Sequence, residues 1–347
     1  MKNLWKKSIE RYGYPKVYIT IFLILLLIIA VIQKQSIPDL LIDSLIRIGM
    51  NSILVLAMVP GIVSGTGLNF ALSIGILCGI LAGCIAIEMR LVGLTAFLVA
   101  VLINIPLAAV AGYLYGLLLN RVKGDEMTVG TYMGFSMVSL MSIGWLVLPF
   151  KNPDMVWAIG GRGLRVTITL VDKYDKVLDH LIKFKVFDRN LPIGTLIFFG
   201  ICCLLMWLFL RSKTGAAMIA AGDNQKFAEA SGINVNKQRM IGVIISMILG
   251  GIGIIVYAQS YGFFQLYQGP LMMPFVAISA ILIGGATAKK ASIGNVISGV
   301  ILFQALLTIS LPVINKMMPE GNLSEVIRII VSNGVILYAL TKMGGNE

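Results

Sequence analysis

Long apolar runs recur from one end of the chain to the other. Each is close to the roughly 20 residues that an α-helix needs to cross the hydrocarbon core of a bilayer. Ten such runs lie at 17–33, 45–63, 70–88, 92–120, 127–149, 191–210, 240–260, 271–288, 292–314 and 325–341. The pattern predicts an all-α polytopic membrane protein with about ten transmembrane helices, organised as a single transmembrane domain over residues 1–347.

The composition excludes several other classes of protein. Hydrophobic residues make up 58% of the chain and charged residues only 13%, which rules out an ordinary soluble domain. The net charge of +12 invites a nucleic-acid-binding interpretation, but the basic residues lie in short tracts between apolar runs. Clusters of that kind fit membrane topology better. We therefore expect membrane lipid around the chain and no nucleic-acid partner.

Side chains that carry out catalysis or bind metals are scarce. The four cysteines, Cys78, Cys84, Cys202 and Cys203, lie inside apolar runs, where they are typical of small core residues. His180 is the only histidine, so a histidine-based metal site or catalytic dyad is not expected. The sequence predicts no catalytic residue, no metal site and no cofactor bound by this chain.

Basic residues in the short connections predict the orientation of the spans. With the N-terminus inside, most Lys and Arg residues lie in inside segments, and the short outside loops hold only Lys34, Arg90 and Lys316. The run from Val17 to Val31 is followed by no small-residue cleavage pattern, so we expect a first, uncleaved span. An even number of spans then places both termini on the cytoplasmic side.

Residues 150–190 form a long connection that this orientation places outside the membrane. It carries eight basic residues and five aspartates, and long loops weigh less in the positive-inside rule. We predict a turn at 158–163, a short strand over 164–171 and an amphipathic helix over 174–184. Two interpretations of this extracytoplasmic region stay open: a docking surface for a substrate-delivering protein, or a solvated lid over the membrane domain.

Two stretches are predicted to interrupt a span. Residues 60–75 combine glycines with hydroxyl and amide side chains at membrane depth, which indicates non-helical backbone that lines a cavity. The candidate translocation residues in this stretch are Ser64, Thr66, Asn69 and Ser73. The second stretch is the Gly-Gly turn at 284–290. Its glycines do not form a nucleotide-binding loop, because no Gly-x-x-x-x-Gly-Lys-Ser/Thr motif occurs in the chain.

A stretch rich in aromatic and amide side chains follows the seventh run, at residues 257–268. Aromatic faces stack on sugars and nucleobases, and amides hydrogen-bond to them. Gln259, Phe263 and Gln268 are therefore further candidates for the translocation pathway. The alternative interpretation is an interfacial aromatic belt with an ordered loop.

Residues 220–233 are predicted to form a short, soluble helix between two spans. Asp223 or Asn224 can cap its start, and Gly232 stands where a left-handed helix end costs least. Isolated helices this short are marginal in water, so we interpret this one as a docking element for a partner. The alternative is an ordinary ordered loop helix. The candidate docking residues are Gly222, Asp223, Asn224, Ala228, Glu229, Ala230, Ser231 and Gly232.

Three of these stretches resemble parts of one transporter family. The 220–233 helix resembles the cytoplasmic coupling helix of ABC importer permeases of the ribose, galactose, nucleoside and branched-chain amino-acid kind. Residues 60–75 resemble the Gly-x-Asp-Leu-Ser-x-Gly signature of the sugar-type members, although Asn69 stands where that family often has aspartate. The turn at 284–290 is similar to the Gly-Gly turn near the end of these permeases. The resemblance is nearest to the sugar and nucleoside branch.

The resemblance implies a permease subunit in the inner membrane of a bacterium, with a cytoplasmic coupling-helix segment at 213–238. It also implies three protein partners: a second permease subunit in a homo- or heterodimer, a cytoplasmic ATPase that holds ATP and Mg, and an extracytoplasmic solute-binding protein. The expected function is ATP-driven import of a small neutral solute, a sugar or a nucleoside, by alternating access.

The alternative function is an ion- or proton-coupled secondary transporter, a class that also uses broken helices at the midplane. Asp43 and Arg47 are one helical turn apart and can pair, as can Glu325 and Arg328. Neither pair resembles the chain of buried Asp, Glu and His residues that proton-driven carriers use. This difference favours an energy source outside the polypeptide.

Overall fold

Apolar helices make up most of the computed structural model, which describes residues 14–156, 163–182, 184–186, 189–317 and 334. Among the described residues, six candidate spans are long and apolar enough to cross a membrane, and three shorter apolar helices accompany them. Each of the first nine predicted runs coincides with one of these helices, so the predicted polytopic all-α fold is confirmed. The tenth run, 325–341, lies outside the described residues apart from Gly334.

The elements are numbered in chain order. The helices are α1 (Tyr14–Ile32), α2 (Ile37–Leu56) with its continuation α3 (Met58–Val63), α4 (Leu72–Glu88), α5 (Gly93–Arg121), α6 (Glu126–Val147), α7 (Ile193–Arg211), the short α8 (Lys213–Asp223) and α9 (Gln225–Ala230), α10 (Val235–Tyr261), α11 (Gln268–Ile283) and α12 (Ile293–Met317). The strands are β1 (Thr167–Thr169), β2 (Lys185–Val186), β3 (Arg189–Asn190) and β4 (Phe263–Gln265).

Polar caps extend two spans beyond their apolar runs. At the start of α2, the Ser36 side chain accepts a hydrogen bond from the Asp39 backbone N–H. At the start of α10, the Asn234 side chain accepts one from the Lys237 backbone N–H at 3.0 Å. Because such caps satisfy the free N–H groups of a first turn, these helices begin before the apolar residues do.

Connections between spans lie alternately on two faces of the bundle. The loop face carries the described parts of 150–190, and its connections bond to one another. Arg189 of β3 forms an ion pair with Asp43 of α2, with 2.5 Å between Nη1 and Oδ1. The Leu170 backbone N–H donates to the Gly262 carbonyl at 2.8 Å, which joins the long connection to the end of α10.

The opposite face carries residues 213–238 and is called the coupling face. The Asn120 side chain near the end of α5 donates to the Asn236 carbonyl of α10 at 2.9 Å. Gly222 of α8 lies against the end of α3, so closely that a Cβ atom added to it would overlap the Val63 carbonyl oxygen. Successive helices therefore run from one face to the other, as membrane crossings require.

The helix α10 lies at the centre of the bundle, packed against α2, α4 and α5. Its backbone is closest to α4, where a Cβ atom at Gly79 would overlap the Gly251 carbonyl oxygen. Small residues let membrane helices approach to this degree, which strengthens their van der Waals contact. A movement of α10 would consequently be transmitted to three other spans.

The described part of the long connection docks onto the bundle. β1 pairs antiparallel with β4, which places Ile168 opposite Phe264, and both are fully buried. The strand predicted over 164–171 is therefore confirmed in a shorter form. The helix predicted over 174–184 is wrong, because the described residues there form turns and Lys176 has φ of 49°, which interrupts a right-handed helix. Most of the predicted turn at 158–163 lies outside the described residues.

Candidate functional site

An interrupted span lies at the coupling face between α3 and α4. Residues 64–71 are not helical and are called the break below. The hydroxyl groups of Ser64 and Thr66 each donate to the Gly61 carbonyl at 2.9 Å, which folds the chain into a tight turn. Gly65 in this turn has φ of +79°, a conformation that glycine adopts without steric cost.

The other two polar residues predicted in this stretch are buried. Asn69 donates from Nδ2 to Ser246 Oγ of α10 at 2.8 Å. Its Oδ1 is buried and has no hydrogen-bond partner among the described residues. Ser73, in the first turn of α4, is 2% exposed. The structure thus places the four predicted residues in and next to the break, where the side chains of Ser64, Thr66 and Asn69 form hydrogen bonds that stabilise it. Of the four, only Thr66 lines the cavity at the coupling face.

The short helix predicted over 220–233 is divided between α8 and α9. Gly222 and Asp223 end α8, and Asn224 begins α9 by accepting a hydrogen bond from the Phe227 backbone N–H at 3.1 Å. Of the two candidate caps, Asn224 is the one that caps α9. Gly232 follows α9 with φ of +78°, in agreement with the predicted left-handed end.

One side of α9 is buried and the other is exposed. Ala228 is fully buried in a small cluster with Ala221 and Val235, so it packs inside the chain. The exposed predicted residues are Asp223, Asn224, Glu229, Ala230, Ser231 and Gly232. Phe227 is 65% exposed beside them, a large aromatic surface left uncovered in the described residues. Aromatic residues of this kind are enriched where proteins bind one another.

The coupling face and the break are in direct backbone contact. Any side chain at Gly222 would collide with the Val63 carbonyl, and the Cα atom of Gly222 is 3.0 Å from the position of a Cβ atom at Gly65. A cavity of ≈ 620 Å³ lies beside this contact, between the break, the α5–α6 turn and the start of α9. A displacement of residues 213–238 must therefore move the break or separate from it.

A second cavity, of ≈ 580 Å³, lies near the loop face between α2, α10, α11 and α12. Its buried polar lining comes from Asn51, Gln304 and Thr308, and Tyr257 adds an aromatic ring. The charged lining residues are Asp43, Arg47 and Lys176, which are more exposed. The deeper part of this cavity therefore offers neutral hydrogen-bonding groups and an aromatic surface, and the charges lie nearer solvent.

The predicted pathway residues of the 257–268 stretch do not line this cavity. Gln259 is fully buried, accepts a hydrogen bond from the Leu178 backbone N–H at 3.2 Å and donates to Thr195 at 3.3 Å. Phe263 lies in β4, and Gln268 is exposed at the start of α11. In this conformation Gln259 fastens the loop segment to the bundle.

The cavity residues of α2 and α12 were not among the predicted pathway residues. Asn51, Gln304 and Thr308 are isolated polar residues inside apolar runs, and that isolation is the signal that could have identified them. Between this cavity and the coupling face, Ile53, Leu56 and Met58 are fully buried. Along this span the two cavities are thus separated by packed side chains.

The family described as "Branched-chain amino acid transport system / permease component" matches residues 17–339 of the chain. The chain belongs to this family. The predicted resemblance is confirmed, and the permease is a multi-pass membrane component of ABC transporters and not an enzyme.

Three curated relatives are similar to parts of the permease. It is 27% identical over 128 residues to the nucleoside ABC transporter permease protein NupC of Lactococcus lactis subsp. cremoris (strain MG1363), covering 34% of this chain and 40% of the relative. It is 27% identical over 100 residues to the guanosine ABC transporter permease protein NupQ of Bacillus subtilis (strain 168), covering 29% and 31%. It is 32% identical over 95 residues to a tyrosine transport system permease protein of Clostridioides difficile (strain R20291), covering 27% and 32%. The matches span less than half the length of each relative, and no solved structure matches the permease.

Proposed function

We propose that the permease is the membrane-spanning subunit of an ATP-driven importer for a small neutral solute, a nucleoside or a sugar, in the inner membrane of a bacterium. The observation that carries the proposal is the contact between Gly222 and the break, because it joins an exposed helix outside the spans to an interrupted span. The names of two relatives, which refer to nucleoside and guanosine, favour a nucleoside.

In this proposal the coupling face is cytoplasmic, and an ATPase binds the exposed side of α9. Asp223, Asn224 and Glu229 offer polar contacts, and Phe227 offers the apolar centre that interfaces use. ATP and Mg belong to the ATPase, and the permease itself binds no cofactor. A second permease subunit completes the membrane domain, and a solute-binding protein docks at the loop face, including 150–190.

The solute path begins in the cavity near the loop face. Asn51 and Gln304 present amide groups there, and Tyr257 presents a ring that can stack on a nucleobase or a sugar. A solute in this cavity is separated from the coupling face by the packed residues of α2 and α3. Alternating access then requires those residues and the break to shift when the ATPase moves residues 213–238.

The test is ATP hydrolysis and uptake by the permease co-purified with its ATPase in nanodiscs and proteoliposomes. Replacing Gly232 with leucine places a Cβ atom where, apart from its chain neighbours, no atom of the described residues lies within 4 Å, on the surface assigned to the ATPase. We expect Gly232→Leu to insert and fold, yet to uncouple ATP hydrolysis from uptake. Normal transport by this variant would contradict the assignment.

Gly262→Leu is the matched control. Gly262 also follows a helix with positive φ and has no atom within 4 Å of an added Cβ, but it lies on the loop face. The backbone strain is therefore similar in the two variants, and only Gly232→Leu should uncouple. If no ATPase co-purifies and uptake collapses with a proton or sodium gradient, the permease is instead a secondary transporter.

A further inference from the structure

A buried arginine lies at the coupling-face end of α10. Arg239 is 1% exposed, and its Nη2 atom lies 2.6 Å from Oε1 of Glu126, the first residue of α6. The same nitrogen donates to the Leu119 carbonyl of α5 at 3.3 Å, and Nη1 donates to the Gly65 carbonyl of the break at 3.4 Å. One guanidinium thus bonds to three other elements of the coupling face.

Stability alone does not account for this ion pair. Arg239 is buried and Glu126 is 15% exposed, so at least the guanidinium charge is removed from water at a cost. Replacing such a pair with apolar side chains of similar volume is often neutral or stabilising. The guanidinium is also not fully satisfied, because its Nε atom is buried and has no hydrogen-bond partner among the described residues. A buried polar group left unpaired calls for an explanation.

The position of Arg239 indicates which elements it connects. Gly65, whose carbonyl it holds, is the residue against which Gly222 of α8 packs. One turn further along α10, Gly242 lies so close to the break that an added Cβ atom would overlap Ser64 Oγ. Consequently the contacts run from α8 through the break and Arg239 to Glu126 at the start of α6.

We propose that Arg239 is a positioning residue that, through its ion pair with Glu126, carries the movement of residues 213–238 from the break to the α5–α6 turn. The inference rests on the proposed ATP-driven function. It predicts that loss of the pair leaves the ATPase bound and active but reduces the movement of the α5–α6 turn, although the bond from Asn120 to the Asn236 carbonyl remains. The planar, forked guanidinium group is required, since a lysine ammonium at this buried position cannot bond to all three acceptors in the same geometry.

The test is a pair of distances measured by electron spin resonance on the full permease–ATPase complex, in a background without native cysteines. One pair of labels joins Lys226→Cys of α9 to Lys34→Cys on the loop face. The other joins Asp125→Cys of the α5–α6 turn to the same Lys34→Cys. With Arg239 and Glu126 in place, ATP with vanadate should shift both distances by about 1–2 Å or more, the scale of helix shifts in such transitions.

The decisive variant is Arg239→Met with Glu126→Leu, which removes both charges and leaves no buried charge unpaired. We expect it to fold, to bind the ATPase and to keep the shift at Lys226. The shift at Asp125 should be clearly smaller than it is with Arg239 and Glu126 in place, while the shift at Lys226 keeps its size. Arg239→Lys should give the same selective loss, with the charge retained.

The outcomes separate this inference from the proposed function. If both distances still shift in the apolar variant, Arg239 and Glu126 are merely structural and the inference is overturned. If ATP with vanadate shifts neither distance with Arg239 and Glu126 in place, the ATP-driven function fails, and the inference fails with it. Selective loss at Asp125 supports both.

Discussion

At one end of α10, Gln259 joins the helix to the loop face, and at the other end Arg239 joins it to the coupling face. Gln259 bonds at both ends of its amide, and its neighbours Thr195 and Ser260 both donate to the Asp179 carboxylate, at 2.6 and 3.0 Å. Arg239 has one short bond to Glu126, longer bonds to two carbonyl groups, and an Nε atom with no partner in the part of the chain that the structure describes. The bonds of the Gln259 amide are complete, and those of the Arg239 guanidinium are incomplete among the described residues.

This difference indicates where the bundle is fixed and where it can rearrange. A fully satisfied polar network rigidifies its surroundings, whereas a partly satisfied network fixes them less firmly. The loop-face end of α10 therefore acts as an anchor for the connection above it. The coupling-face end of α10 is the end that moves with residues 213–238, and in our proposal the Arg239–Glu126 pair passes that movement to the α5–α6 turn.

The largest effect is expected at the contact between α8 and the break. Gly222→Val places a side chain against the Val63 carbonyl, so α8 must move away from the break. We expect ATP-driven uptake to be abolished and the free energy of unfolding to fall by about 1–3 kcal/mol, as overpacking does. Uptake assays and thermal unfolding in detergent measure the two effects. Gly200→Val in α7, where no atom lies within 4 Å, is the control and should transport normally.

The next effect is expected at the anchor. Gln259→Leu leaves the Leu178 backbone N–H buried without its acceptor. The free energy of unfolding should fall by about 1–3 kcal/mol, the cost of an unsatisfied buried group. ATP hydrolysis per solute transported should stay unchanged, because this junction does not touch the break. The control is Gln268→Leu at an exposed position. Equal destabilisation by both variants would contradict the role of Gln259 as an anchor.

A smaller effect is expected from the ion pairs between β3 and α2. Arg189 bonds to Asp43 and Asp39 with side chains that are nearly half exposed. Such pairs contribute about 0–1 kcal/mol, and salt screens them. Arg189→Gln should therefore lower the melting temperature slightly at low salt and not at 1 M salt, a concentration that leaves only about 3 Å of screening length. A large, salt-independent loss would show that the loop depends on this contact for its fold.

The smallest effect is expected at Tyr174, beneath the loop face. Its hydroxyl is buried and has no partner among the described residues, and burial raises the pKa of this group well above its ordinary value. Tyr174→Phe should thus be neutral or stabilise by about 1 kcal/mol, since it removes an unsatisfied group. The pKa of Tyr174 is higher in the folded protein than in the unfolded chain, where it is about 10. Above this pH the hydroxyl ionises only in the unfolded chain, so the stability of the parent falls as the pH rises. Unfolding curves should therefore show a larger difference in free energy of unfolding between Tyr174→Phe and the parent at pH 10.5 than at pH 8.

Sequence patterns identified the spans and the break for a physical reason. Apolar runs reflect contact with lipid, and glycines reflect the local backbone geometry. Both depend on a short stretch of sequence, so both can be recognised from it. The roles of Gln259 and Arg239 depend instead on distant segments. Gln259 was predicted to line the pathway because aromatic residues adjoin it, but its partners are Leu178 and Thr195.

Arg239 counted only as one of many basic residues that set the orientation of the spans. Its pairing with Glu126 joins residues that are 113 positions apart, which no local pattern contains. The prediction of a helix over 174–184 was wrong for the same reason. Its amphipathic pattern is real, but the Lys176 backbone N–H bonds to the Gln259 carbonyl at 2.6 Å, so tertiary contact overrides the local preference.

The central claim is that an ATPase drives the permease through α9. It is tested most directly by a photo-crosslinking side chain at Phe227, compared with one at Val171 on the loop face; both positions are more than half exposed. In membranes of cells that express the permease and its partners, we expect crosslinking at Phe227 to a protein with ATP-hydrolysing activity, and none to that protein at Val171. Absence of an ATPase at Phe227, or its capture at Val171 instead, would contradict the account.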